Sequence, residues 1–173
     1  MLSVRDLHQY AAKFTAAQFE EQLGPFVMVQ APPDSIRQAQ ARALKSGRTT
    51  KLGQTATPPS VTNMITQLEH LLVATLPNIG DEGFTVGRSP DSDLVVEDES
   101  VSKHHARISW DANVRAAVIE DLGSSNGTVH NGTPVRGQVA LYTGDELQFG
   151  TVRFCYLLTQ VLYAQLKAGA VKR

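Results

Sequence analysis

The chain has 173 residues, enough for one domain of ordinary size and an appendage. Sixteen Lys and Arg against seventeen Asp and Glu leave a net charge of −1, which argues against a general nucleic-acid or membrane-surface binder, because such affinity rests on excess basic charge. The 42% of hydrophobic residues can build a core, the single cysteine excludes an internal disulfide and a multi-cysteine metal site, and no run of about 18 apolar residues offers a membrane span.

The first residues, Met1-Leu2-Ser3-Val4-Arg5-Asp6, lack a basic segment leading into a hydrophobic one, so no signal peptide and a cytoplasmic location are expected. Ser3 reads as a helix N-cap with an acid three positions on, and Val4, Leu7, Tyr10, Ala11 and Phe14 follow at helical spacing. Thr15 with Gln18 repeats the capping pattern, predicting a second short helix that runs to Leu23 and stops at Gly24. Pro25 to Gln30 is a short β-rich run ended by Pro32-Pro33. Ser35 to Leu44 could form a polar, Ala-rich helix that would be marginal alone. Residues 1–44 are therefore expected to be a helical extension with one short strand.

From Lys45 to Ser60 the chain turns to Ser, Gly, Thr, Gln and Pro without periodicity, which predicts a linker or flexible loop. It holds Thr49, Thr50, Thr55 and Thr57. A short lead-in helix up to about Glu69 and a strand from His70 to Leu76 are expected next, ended by Pro77. Beyond this point short alternating runs are divided by turn residues, the pattern of a β-sandwich. Phe84 and Val86, then Ala106, Ile108 and Trp110, then Leu147 and Phe149, each mark the apolar side of a strand. The pairs Asn126-Gly127 and Asn131-Gly132 favour tight turns with positive φ. Val152, Phe154 and Tyr156 belong to a long last strand, in which Cys155 reads as a small packed hydrophobe. Leu158, Val161, Leu162 and Leu166 line a terminal helix with Lys167, Lys172 and Arg173 at its end. The predicted fold is mainly β: an antiparallel sandwich over 61–158, lead-in helix included, followed by a helix and tail over 159–173.

Arg88 follows a glycine at a strand end, where a turn would release its guanidinium into a loop as a fork of donors matched to phosphate or carboxylate. Ser102 lies in a loop just before a strand, with Lys103 adding charge beside it, and Ser125 and Asn126 bring a hydroxyl and an amide to a glycine turn. Catalysis is not expected. Ser102, His105 and Asp121 supply the letters of a hydrolytic triad, but Ser102 and His105 are three residues apart at a strand start and no Gly-x-Ser-x-Gly elbow exists. His104 and His105 alternate in direction and make a poor metal site, and no phosphate loop of the Gly-x-x-x-x-Gly-Lys kind is present, so neither metal nor other cofactor is expected.

Gly87-Arg88, Ser102-x-x-His105, Asp121 through Thr128, Asn131-Gly132 and Leu141-x-x-Gly144-Asp145-x-Leu147-x-Phe149-Gly150 occur in one order and at one set of separations. Together they resemble the forkhead-associated (FHA) domain, a phosphothreonine-peptide binding module. The resemblance implies that Arg88 and Ser102 hold the phosphate with Lys103 helping. It implies that Asn126 binds the peptide main chain and that Ser125 supports the phosphate. Gly87, His105, Gly127, Asn131 and Gly132 would be scaffold. Peptide selectivity would fall to loops, with Asp111 to Arg115 and His130 to Gln138 as candidates. The implied function is that of an adaptor recognising a phosphothreonine-bearing protein downstream of a serine/threonine kinase. The alternative is a structural or interaction protein, assembled through the N-terminal extension or through self-association by phosphorylated linker threonines such as Thr55 or Thr57.

Overall fold

The computed structural model describes residues 2–31, 71–76, 83–111, 113 and 116–170. The helix expected over 35–44, the linker over 45–60 with its four threonines, and the lead-in helix before Glu69 lie outside the described residues.

Both helix starts form where the caps predict them. Helix α1 spans Val4–Lys13; the Ser3 hydroxyl accepts from the Asp6 N–H, and the Asp6 carboxylate accepts from the Ser3 N–H at 3.1 Å. Helix α2 spans Ala16–Leu23 with the same reciprocal pair made by Thr15 and Gln18. Each box satisfies two of the N–H groups that a helix end leaves orphaned. Gly24 ends α2 at φ 88°, in the region glycine occupies without a Cβ penalty.

Among the described residues twelve strands form two sheets. One has seven strands in the order β1 (Leu2–Ser3), β3 (Leu72–Thr75), β2 (Phe26–Gln30), β12 (Val152–Leu158), β11 (Glu146–Phe149), β8 (Thr128–His130) and β9 (Thr133–Pro134). The other has five, in the order β10 (Gln138–Leu141), β7 (Ala116–Asp121), β6 (Ala106–Asp111), β4 (Phe84–Gly87) and β5 (Leu94–Val95). Pairing is antiparallel except between β4 and β5, which run parallel. The strand expected over 70–76 is β3. Helix α3, Thr159–Ala170, closes the described chain.

The sandwich core lies between the sheets, where Phe26, Phe149, Phe154 and Tyr156 meet Phe84 and Ile108. A second core covers the outer face of the seven-stranded sheet, where Val27, Val29 and Leu157 pack under Leu7, Phe19 and Leu162 of the three helices. The architecture therefore has three layers: five strands, seven strands, helices.

Strand β2 differs from the sequence expectation in place, though not in kind. It does not belong to an appendage. It sits inside the seven-stranded sheet between β3 and β12, with Val29 opposite Cys155 and Met28 opposite both Tyr156 and Ala74. The physical reason is its unbroken apolar run. Phe26 and Met28 enter the sandwich core, Val27 and Val29 the helical core, and none of the four is exposed. A strand buried on both faces needs a layer on each side, and burying each such side chain contributes roughly 1.5–3 kcal/mol. Cys155 lies beside them, 6% exposed, where burial pushes its thiol up to about 12 and leaves it a packing residue.

Candidate functional site

Strands β4, β6, β7 and β8 deliver three loops to one end of the sandwich. The first follows Gly87, the second precedes Ala106, and the third joins Asp121 to Thr128. Gly87 permits the first two to touch: a Cβ there would lie 2.0 Å from the Lys103 carbonyl oxygen and 2.7 Å from the Ser92 hydroxyl. Two backbone bonds follow from that approach, Arg88 N–H to the Ser102 carbonyl at 2.9 Å and Ser89 N–H to the Lys103 carbonyl at 3.1 Å.

His105 ties the second loop to the third. Fully buried, it accepts the Ser102 N–H on Nδ1 at 3.0 Å, which leaves Nε2 to donate to the Gly127 carbonyl at 3.1 Å. Burial lowers its pKa, against the opposing pull of the Gly127 carbonyl and Asp121, so the neutral ring with the proton on Nε2 is the form the fold holds. The ring meets Phe149 edge-on at 5.6 Å.

Asp121 orders the third loop. Its carboxylate accepts the N–H groups of Gly123 and Ser124 and the hydroxyls of Ser124 and Thr128. Burial works against the charged form, but these hydrogen bonds outweigh it and hold the pKa below the usual carboxylate value. The supposed triad is thus absent as geometry. The backbone amide of Ser102 meets the imidazole, while its hydroxyl pairs with Ser125 and Asp121 serves the loop.

The five expected ligand residues come together. Ser102 Oγ accepts the Ser125 N–H at 2.9 Å and lies 3.4 Å from the Ser125 hydroxyl. Asn126 Nδ2 donates to the Ser100 carbonyl at 2.8 Å, and Arg88 Nε to the Val101 carbonyl at 3.2 Å. Arg88, Lys103, Ser125 and Asn126 are exposed and Ser102 is half-buried. All five line one cleft of roughly 240 Å³. Among the described residues neither Arg88 nor Lys103 has an ion-pair partner. Two uncompensated cations beside hydroxyls can receive a phosphate.

The same cleft is lined by Glu99, Ser100 and Val101, which the sequence did not single out. Ser100 carried a local signal: its N–H and hydroxyl turn back onto the Asp98 carboxylate two residues earlier, as short polar side chains do in loops. Its hydroxyl also lies 3.0 Å from the Thr151 hydroxyl.

Asn131 and Gly132, at φ 48° and 81°, form the two-residue turn between β8 and β9. They lie away from the cleft, where Asn131 donates to Asp145 and accepts the Glu146 N–H. The two candidate selectivity loops differ in place. Of the first, Asp111 is at the opposite end, because Ala106 pairs with Asp121 by the cleft and Asp111 with Ala116 at the other limit of the same ladder, about 17 Å away. The His130–Gln138 stretch divides. Its turn is distant, but Val135 donates its N–H to the Thr128 carbonyl and brings the exposed Arg136 back to the cleft end.

The FHA domain family model matches residues 84–150. An oxoglutarate dehydrogenase inhibitor of Corynebacterium diphtheriae is 34% identical over 118 residues, covering 65% of this chain and 76% of that one. The chain belongs to the FHA-domain family. It spans about half the length of other curated relatives it matches: 56% of the glycogen accumulation regulator GarA of Mycobacterium tuberculosis, at 41% identity over 93 residues and 50% of this chain; and 49% of the oxoglutarate dehydrogenase inhibitor of Corynebacterium efficiens, at 42% identity over 73 residues and 42% of this chain. Among solved structures, an FHA domain from Chlamydia trachomatis aligns with a TM-score of 0.49 at 21% identity, over 76% of this chain and 95% of that one. No helix among the described residues is long and apolar enough to cross a membrane.

Proposed function

We propose that this FHA-domain chain is a phosphopeptide-binding adaptor, not an enzyme, and that its cleft takes phosphothreonine in a partner protein modified by a serine/threonine kinase. The observation that carries the reading is the convergence of Arg88 and Lys103, both without an ion-pair partner among the described residues, on the Ser102 and Ser125 pair. Arg88 and Ser102 would hold the phosphate oxygens, Lys103 would add charge, Ser125 would support Ser102, and Asn126 would meet the peptide main chain. The names of the relatives, a glycogen accumulation regulator and oxoglutarate dehydrogenase inhibitors, point to a metabolic enzyme as the regulated partner and to a cytoplasmic setting.

Calorimetric titration with a phosphothreonine peptide, its phosphoserine counterpart and the unphosphorylated peptide tests this directly. Saturable binding of the first, weaker binding of the second and none of the third are expected. Equal binding of all three would sink the reading.

A second reading, with the chain supplying its own ligand through linker threonines, is favoured by one feature. Ala31, the last described residue before residues 32–70, donates its N–H to Arg153, two positions from the Thr151 that touches Ser100 at the cleft. Mass-spectrometric mapping of Thr49, Thr50, Thr55 and Thr57 after incubation with a serine/threonine kinase separates the two. An unmodified linker leaves only a ligand in another protein.

A further inference from the structure

The cleft contains a charge that a phosphate would not choose. Glu99 is exposed and lines it together with Arg88 and Lys103, yet among the described residues it pairs with neither. Its neighbour Asp98 is differently placed, since hydrogen bonds from Ser100 occupy its carboxylate and hold its pKa below the ordinary value. Glu99 also sits in the loop that holds the other binding groups. The next two carbonyls, of Ser100 and Val101, anchor the side chains of Asn126 and Arg88. A ligand main chain crossing Asn126 therefore runs past Glu99.

Like charges disfavour one another, so this carboxylate lowers the affinity for a bare phosphate. It becomes favourable when the ligand brings a cation of its own. We propose that Glu99 is a specificity residue that selects phosphothreonine peptides carrying Lys or Arg close to the phosphorylated residue. The inference rests on the adaptor reading and deepens it. The cleft is dipolar, and its complement is a peptide with a phosphate and a basic side chain side by side. An extended peptide advances about 3.3 Å per residue, so a long basic side chain within a few positions of the phosphate spans the gap.

The test uses phosphothreonine peptides that are neutral except for one flanking position, filled in turn by Arg, Gln or Glu, with affinity measured by fluorescence anisotropy. The parent protein should prefer Arg over Gln by about two- to fivefold at one or more positions, the range for an exposed ion pair. That preference should fade as salt rises. Glu99→Gln should remove it while raising the affinity for the Gln peptide slightly, and Glu99→Lys should turn it toward Glu. Thermal unfolding of both variants checks that the exposed substitution leaves the fold intact. A parent protein that binds the three peptides equally, or a Glu99→Gln variant that keeps the Arg preference, overturns the proposal. Failure to bind even the neutral phosphopeptide overturns the adaptor reading beneath it, so the two failures are told apart.

Discussion

At the end of the sandwich away from the cleft, Asp145 accepts the Tyr142 N–H at 2.7 Å and the Asn131 amide at 2.8 Å, and lies 2.8 Å from His130 Nε2. The cleft end is arranged in the opposite sense. There the buried tie is a neutral ring, His105, bonded to two backbone groups, while Arg88 and Lys103 keep no ion-pair partner among the described residues. Charge at the far end is spent inside the molecule to close a hairpin. Cationic charge at the cleft end is left outward, and order there comes from the neutral His105 and from the Asp121 carboxylate, which backbone N–H groups and hydroxyls occupy. The difference shows how a binding surface can be rigid without neutralising the groups it needs for its ligand.

Four experiments can break or sharpen that contrast. The largest effect is expected from His105→Ala, which orphans the Ser102 N–H and the Gly127 carbonyl and removes the edge contact with Phe149. Urea unfolding should show a loss of about 3 kcal/mol, with phosphopeptide binding weakened as well. A variant as stable as its parent would mean that the imidazole does not order this end. Arg88→Ala should do the reverse: about one to two decades of affinity lost and the unfolding midpoint unchanged. If that variant binds like the parent, the cleft assignment fails. Asn131→Ala, which abandons Asp145 and places alanine at a positive φ, should cost about 1–2 kcal/mol in stability and nothing in binding. Any loss of affinity there would show that the two ends are coupled.

The smallest effect is a pH dependence. The His105 pKa is lowered in the folded state from its ordinary 6.5. As pH falls below that value the unfolded chain takes up a proton that the folded chain refuses, so stability declines until the folded pKa is passed. One group gives a slope of at most about 1.4 kcal/mol per pH unit. Denaturation series of the parent and of His105→Gln across mildly acidic pH should differ by this slope; coincident slopes would show that the ring takes up a proton in the fold as readily as in the unfolded chain.

What the sequence revealed was mostly local. Ser3 with Asp6 and Thr15 with Gln18 announce their helices because a capping box spans only one turn. Arg88, Ser102, Ser125 and Asn126 were legible because loops of one family keep their order along the chain. The place of β2 was not legible. Phe26-Val27-Met28-Val29 has no alternation to mark a face, and its partner Cys155 belongs to the last strand. That Asp111 lies away from the cleft was not legible, because a strand's direction relative to a site is settled by pairing, which no single segment encodes. Glu99 went unnoticed because a lone carboxylate in an acidic loop has no pattern of its own.

The position of β2 also bears on how the chain is made. One of its edges can be covered when β3 emerges, but the other waits for β12, which is made after every other described strand. Until then an apolar, β-prone segment made early presents an open edge to neighbouring chains. Pairing so distant in sequence also slows the final closure, because the entropy of bringing the two strands together is lost before the contacts form. Closure of this sheet around β2 therefore waits for β12.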